Sequence, residues 1–373
     1  MTSELSSLCS YAKGKVSVDT LSKRNYVSTE NMMPNKGGIV DAGALPSAQY
    51  TQQYIKDDIL VSNIRPYFKK IWMADDDGGC SNDVLVFRAD RGCDSTFLYY
   101  ILANDAFFNY ASATSKGTKM PRGDKTAIMQ YKVPCFNYET QLRIGKLLRS
   151  IDDRIAVNKK INDNLQQQAA ALFSSLYDRT NTEVRFTDLI QILGGGTPKT
   201  GEHTYWNGNI AFFTPKDVGI PYTLITEKTI SKEGLSHCNS RLYPVNTVFV
   251  TARGTVGKVG MSGVPMAMNQ SCYALVGKET HQLLVYFYTL KAVDRLKHKA
   301  SGAVFDAITT RDFESEQIMK LSDDDATAFL RVAEPMFQEV LNNNIENLRL
   351  STLRDSLLPK LMSGEIDVSA VQL

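Results

Sequence analysis

Two apolar stripes, far apart in the chain and broken by the same polar pair, restrict the fold of this sequence more than any other feature. Between Gln141 and Leu176 there is no proline and one glycine, Gly145, among abundant Leu, Ala, Gln, Lys and Arg. That composition favours one helix of about forty residues. Ile144, Leu148, Ile151, Ile155, Leu165, Ala169, Leu172 and Leu176 recur at steps of three and four, which lines one narrow helix face in the manner of a coiled-coil seam. Asn158 and Asn162 hold the two seam positions between them. About 185 residues later the stripe returns as Phe329, Ala333, Met336, Val340, Leu350, Arg354, Leu357 and Leu361, with Asn343 and Asn347 at the matching places. A single amphipathic helix would say little, but two with one shared interruption indicate a duplicated chain. Each helix is expected to run about 60 Å at 1.5 Å per residue. A seam that narrow needs a partner, and the other copy is the natural one. Buried asparagines there would fix the register, because a slip leaves them unpaired against leucine.

The rest of the chain divides around these helices. The pattern predicts a first head at 1–137, a first long helix at 138–179, a second head at 180–322, a second long helix at 323–366 and a tail at 367–373. The chain has 373 residues, which allows two or three domains with cores of their own. An apolar fraction of 43% and a charged fraction of 22% describe an ordinary globular chain. The start shows no basic stretch followed by an apolar run, and no apolar run reaches the roughly twenty residues of a membrane helix, so neither a signal peptide nor a membrane span is expected. Cys9, Cys80, Cys93, Cys135, Cys238 and Cys272 lie far apart without paired spacing, the pattern of thiols in a reducing cytoplasm.

Within the first head, Ile59–Ser62 and residues 84–87 read as strands separated by an acidic, glycine-rich turn at 75–79, and residues 97–110 read as helical. The second head repeats the order. Residues 212–218 answer 26–32, residues 248–253 answer 60–65, and 286–290 answer 98–102, so that Arg253 is matched to Arg65, Lys258 to Lys70 and Gly302 to Gly117. The heads have diverged far more than the helices, as two variants of one task would.

Catalytic patterns are missing. The Gly194–Thr200 loop resembles a phosphate-binding loop but lacks the Gly-Lys-Ser/Thr spacing and a strong preceding strand. No Asn- or Asp-Pro-Pro-aromatic tetrapeptide of a DNA methyltransferase occurs. His203, His237, His281 and His298 form no ligand pair, and Asp75–Asp77 reads as a solvated turn, so no metal is expected.

Binding chemistry is better represented. A net charge of +2 means that any polyanion must be held by local clustering. In the first head Arg65, Lys69 and Lys70 surround Tyr67 and Phe68, and Lys116, Lys119, Arg122 and Lys125 share one loop. In the second head the candidates are Thr197, Lys199, Tyr205, Trp206, Lys216, Arg253, Thr255, Lys258, Asn269, Gln270 and Arg311, with Lys297 and Lys299 close by in sequence. Cations on Gly-, Ser- and Thr-rich loops suit phosphate contacts, while Arg, Asn and Gln can also read base edges.

The stretches LGGGTPKT, YWNG and FFTPKDV within 193–218, VTARGTVGKVG at 250–260, MNQSCYAL at 268–275 and LRDSLLPKLMSGEI at 353–366 resemble the specificity subunits of type I restriction-modification systems. So does the order head, long helix, head, long helix, and the resemblance covers essentially the whole length. It implies an α+β chain of two globular α/β target recognition domains joined by two long antiparallel coiled-coil helices, a pseudo-two-fold internal repeat. It further implies a non-catalytic subunit binding double-stranded DNA with a bipartite target. Each head would read one half, and the helices would set the spacer and dock two DNA methyltransferase subunits. Those subunits would bring S-adenosylmethionine, and restriction and translocase subunits would complete a restriction complex. Two other readings stay open on residues alone: the recognition region of a single-chain restriction-methyltransferase, and a coiled-coil scaffold for proteins.

Overall fold

The computed structural model describes residues 2–219, 221–299 and 307–368. Its two longest elements are the helices Tyr138–Tyr177 and Asp323–Ser363, of 40 and 41 residues. The second helix absorbs Pro335 and Pro359 on its exposed face, where each removes one backbone donor from the ladder. No helix among the described residues is long and apolar enough to cross a membrane. The chain forms two compact units, residues 1–155 with 349–373, and residues 156–348, so each unit contains part of both long helices.

The two long helices pack together and run antiparallel. In the first unit Ile144 and Leu148 of the first helix share a core with Leu358 and Leu361 of the second. In the second unit Ala169, Phe173 and Leu176 share one with Phe329, Ala333, Phe337 and Val340. The expected seam is therefore present, but it widens where a head rests on it, and Phe173, Phe337 and Leu341 join it there.

The asparagines lie inside the seam. Asn158 is fully buried and donates from Nδ2 to Asn347 Oδ1 (3.0 Å) and Glu346 Oε2 (2.7 Å). Asn343 Nδ2 donates to Asn162 Oδ1 at 2.9 Å, and Asn162 Nδ2 donates to Asn344 Oδ1 at 2.9 Å. Antiparallel pairing thus sets Asn158 against Asn347 and Asn162 against Asn343, two copies of one contact under the internal repeat. Arg354, another polar seam residue, pairs through Nη1 with Asp152 Oδ1 at 2.6 Å, and Asp152 Oδ2 accepts from Tyr100 at 2.6 Å. The repeat places Ala169 and Phe337 at the corresponding positions, and both are buried.

In the first unit one sheet runs Cys9–Tyr11, Val84–Ala89, Ile59–Ser62, Ile71–Met73, all antiparallel. A second runs Lys15–Ser17, Tyr50–Tyr54, Gly78–Cys80, Tyr26–Val27, the last pair parallel. The acidic turn expected at 75–79 ends earlier than the sequence indicates, because Gly78 and Gly79 enter the middle of that sheet. A Cβ on Gly78 would fall 2.3 Å from Asn25 O and 2.4 Å from the Tyr54 hydroxyl, so only glycine fits this strand. The aromatic helical run is two helices, Ser95–Ala103 and Asp105–Ala113. Asn104 parts them, leaving helical geometry and capping the second through Ala106 N–H at 2.9 Å.

The second unit repeats this plan. Its main sheet runs Ile190–Gly194, Cys272–Gly277, Val248–Thr251, Val259–Ser262, with Tyr222–Thr223 added at the edge. Its second sheet runs Lys228–Ile230, Trp206–Phe213, Met266–Met268, again with one parallel pair. Thr2–Glu4 with Lys132–Pro134, and Glu183–Arg185 with Gln317–Met319, are matching two-stranded clasps. The helix Gln282–Lys299 carries the expected answer to Ser95–Ala103. The divergence of the heads in sequence therefore hides a shared order of the four main-sheet strands, while the second sheets differ, with four strands in the first unit and three in the second. The match of Gly302 to Gly117 lies outside the described residues.

Hydrogen bonds correct one pairing by a residue. Asn63 N–H donates to Asp83 O, and Ala252 N–H donates to Ser271 O, so Asn63 corresponds to Ala252. Ile64 and Arg253 then each form an isolated bridge to the returning loop, at Arg122 and Ala307. Arg65 corresponds to Gly254, both at positive φ (51° and 83°). The loop is one residue longer in the first head, which a gapless alignment cannot show. Lys70 and Lys258 remain matched, their carbonyls accepting from Ser62 and Thr251.

Candidate nucleic-acid interface

In the first head, strand Ile59–Ser62 ends in a turn built against sterics. Arg65 and Lys69 both adopt left-handed backbone around the 3-10 turn Pro66–Phe68. For non-glycine residues that costs about 1 kcal/mol or more each and persists only where the surroundings enforce it. Here they do: Arg65 N–H donates to Pro121 O (2.8 Å), and Asn35 and Lys36 N–H donate to the carbonyls of Phe68 and Lys69 (2.8 Å each). Pro66 is buried, while Tyr67 and Phe68 stay 52% and 39% exposed.

The basic loop folds back on the same turn. Lys116 and Arg122 exchange backbone hydrogen bonds, and Gly123 N–H reaches Asn63 O at 3.1 Å. The structure thus joins the two cation groups that the sequence places about fifty residues apart. Three of these cations, and Lys36 beside them, are held by acids. Lys69 and Lys36 both bind Asp105 at 2.8 Å, Lys116 binds Asp124 at 2.5 Å, and Arg122 binds Asp83 at 2.9 Å. Hydrogen bonds from Lys36 and Lys69 hold the Asp105 carboxyl below its usual range, and Lys116 does the same for Asp124. Lys70 Nζ donates to Thr29 O at 2.6 Å and lies 5.9 Å from the Phe68 ring centre. Lys125 sits over the Tyr11 ring at 6.0 Å, and Lys119 is exposed. Arg65 Nε is buried with no partner among the described residues.

In the second head, Lys216, Arg253, Thr255 and Asn269 meet in one cleft of about 440 Å³, with Thr214, Pro215, Glu227, Lys228, Gly254 and Ser271 completing its wall. Arg253 leaves strand Val248–Thr251 exposed and without a side-chain partner among the described residues. Thr255 Oγ1 donates to Pro215 O at 3.1 Å, and Lys216 Nζ lies 3.8 Å from Glu227. Asn269 spends its Oδ1 on Ser271 N–H at 3.1 Å, which leaves its amide nitrogen as donor. Beside the cleft, the glycine loop packs on the same strand end. A Cβ on Gly195 would fall 2.3 Å from Asn269 O, so glycine is needed for this approach. The loop thereby brings Thr197 to Gln270, whose Oε1 accepts from the threonine hydroxyl.

Other candidates stand apart. Trp206 Nε1 donates to Lys199 O at 3.2 Å, so these two brace the loop together, and Tyr205 stacks on His237 at 4.9 Å. Lys258 is exposed beyond the turn, and Arg311 is exposed on helix Thr310–Ser315; neither lines the cleft. Sequence reasoning missed Lys36, Lys228 and the acids Asp83, Asp105, Asp124 and Glu227. No local pattern links Asp105 to lysines 36 and 69 residues away in different loops; only the fold does.

The geometry offers loops and a cleft edged by cations and amides, suited to holding a ligand. Comparison with known proteins agrees. The profile of the type I restriction modification DNA specificity domain matches residues 1–167 and again 179–320. The HindI specificity subunit of Haemophilus influenzae is 23% identical, the match covering 91% of this chain and 94% of that one. The EcoR124I/EcoR124II specificity subunit of Escherichia coli is 29% identical over a match covering 42% of each. In fold, the crystal structure of the S subunit of a type I restriction-modification system from M. genitalium superposes with a TM-score of 0.64 at 16% identity, covering 97% of this chain and 96% of the other. The chain belongs to the type I restriction-modification specificity family: it is the DNA specificity subunit of such a system, a non-catalytic part of that complex.

Proposed function

We propose that each head reads one half of a bipartite target in double-stranded DNA, and that the paired long helices set the number of unread base pairs between the halves. In this reading the heads are residues 1–137 and 180–322, and the helices with their flanks are 138–179 and 323–366, followed by the tail. The first head would grip DNA through Arg65, Tyr67, Lys69, Lys70 and the 116–125 loop. The second would read base edges through Arg253, Asn269 and Gln270 and hold phosphates through Lys199, Lys216, Lys258 and Arg311, with Thr197, Thr255, Tyr205 and Trp206 shaping the surface. The helix pair docks two DNA methyltransferase subunits, which bind S-adenosylmethionine, and restriction and translocase subunits join in a full complex. The assembly works in the cytoplasm, where the DNA is.

The observation that supports this most is the duplication itself: two heads whose main sheets share one strand order bear unlike loops at the same place. The test is selection of duplexes from a random pool by the purified chain together with any methyltransferase that co-purifies. Two short motifs at one constant separation are expected. A single uninterrupted motif, or no enrichment, would overturn the reading.

A further inference from the structure

We infer that Tyr67 is a wedge that enters the base stack of the half-site bound by the first head, with Phe68 as its support; this rests on the DNA reading above. The turn Pro66–Phe68 is fastened on three sides, by Pro121 O, by the backbone of Asn35 and Lys36, and by Asp105 through Lys69. Yet its tip presents two adjoining aromatic rings to solvent. A soluble chain gains nothing for its own stability from exposing such rings, and two left-handed non-glycine residues are spent on holding them there.

The rings are not equivalent. Their centres lie 4.8 Å apart with planes tilted by 57°, so one flat slot between base pairs admits only one of them. Lys70 already lies over Phe68, which is also the less exposed ring. Tyr67 is therefore the free one. The occupant follows from the surround: Lys36, Lys69, Lys116 and Arg122 on the segments that fasten this turn outnumber the three acids that pair with them. Lys119 on the same loop is exposed without an acid partner among the described residues, and this surplus of positive charge fits a polyanion with an apolar interior. Apolar side chains inserted at base steps from a basic surface unstack them and kink the duplex. The matched turn of the second head, Gly254–Gly257, carries no aromatic residue, so the wedge belongs to one half of the target only.

The experiment uses duplexes selected by the chain, with 2-aminopurine walked through both halves and binding followed in parallel by anisotropy. Wild type should raise the fluorescence at one step of one half. Tyr67→Phe should keep that rise, and Tyr67→Ser should abolish it and weaken binding by about tenfold or more, as expected when base-aromatic stacking is removed. Flat fluorescence at every position while anisotropy reports binding would overturn the wedge, as would a rise that survives Tyr67→Ser. A wild-type chain that binds no duplex would instead remove the DNA reading itself, and the wedge with it.

Discussion

Arg253 and Lys258 leave one turn of the second head with different surroundings, and their substitutions should differ in kind. Arg253 lines the cleft beside Asn269 and has no side-chain partner among the described residues, so its guanidinium is available for a bidentate contact. Arg253→Ala should cost about 1–3 kcal/mol on the selected duplex and relax the sequence at one position of one half. Lys258 is an exposed point charge outside the cleft. Lys258→Ala should weaken all sequences alike and lower the slope of log affinity against log salt by about one. Titrations at several salt concentrations with matched and mismatched duplexes separate the two; equal loss on both duplexes for Arg253→Ala would remove it as a reader. A different residue bears on stability. Glu316 is fully buried between Arg295, 2.8 Å from its Oε1, and Lys299 at its Oε2. Glu316→Ala removes a buried carboxylate, but Arg295 and Lys299 are 42% and 57% exposed and can turn to solvent, so the cost should stay at about 1–2 kcal/mol. Urea denaturation reads this directly.

The asparagine ladder turns two generic amphipathic helices into one defined pair. Asn162→Leu would leave Asn343 and Asn344 facing leucine in the seam, at a cost of about 1–3 kcal/mol for the unmet hydrogen bonds. Replacing Asn158, Asn162, Asn343 and Asn347 together by Leu removes the paired amides and leaves only the half-buried Asn344 and Glu346 to turn to solvent, so it should cost less than Asn162→Leu alone. Register would then loosen, because leucine packs nearly as well one turn away. Selection with that variant should return half-sites at several separations instead of one, and a constant gap would show that the ladder does not set register. These helices, their seam and the duplication were legible because helical periodicity is local and recurs in one chain. Strand Ile59–Ser62 was legible for the same reason. What escaped depends on distant chain. Gly78 reads as turn and serves as strand because of Asn25 and Tyr54, and Arg65 reads as the twin of Arg253 until a one-residue loop difference is seen. At the site, residue types were legible but their states were not. Asp105, Asp124 and Asp83 draw Lys36, Lys69, Lys116 and Arg122 into ion pairs, whereas the second head leaves Arg253 open.

For the molecule as a whole, recognition and spacing should be separable, because they rest on different parts of the chain. The heads' loops lie on β-sheets with cores of their own, while the seam is built from helix residues whose pattern ignores the loops. Exchanging residues 180–322 for a head of another family member should therefore change one half-site and leave the other half and the gap as they were. Lengthening the seam should do the reverse. Seven residues added to each long helix, placed between Asp152 and Asn158 and at the facing point between Asn347 and Arg354, lengthen both sides of the seam at one height and preserve its apolar face and hand. Seven residues add about 10 Å of helix, against about 3.4 Å per base pair, so the gap should grow by up to about three base pairs. Adding the heptad to one helix only would put Asn158 and Asn162 out of step with Asn347 and Asn343, and should destabilise the chain instead of lengthening the gap. Sequencing the duplexes retained by each variant decides the matter: an unchanged gap in the double insertion would mean that the separation of the half-sites is set elsewhere than in the helix pair.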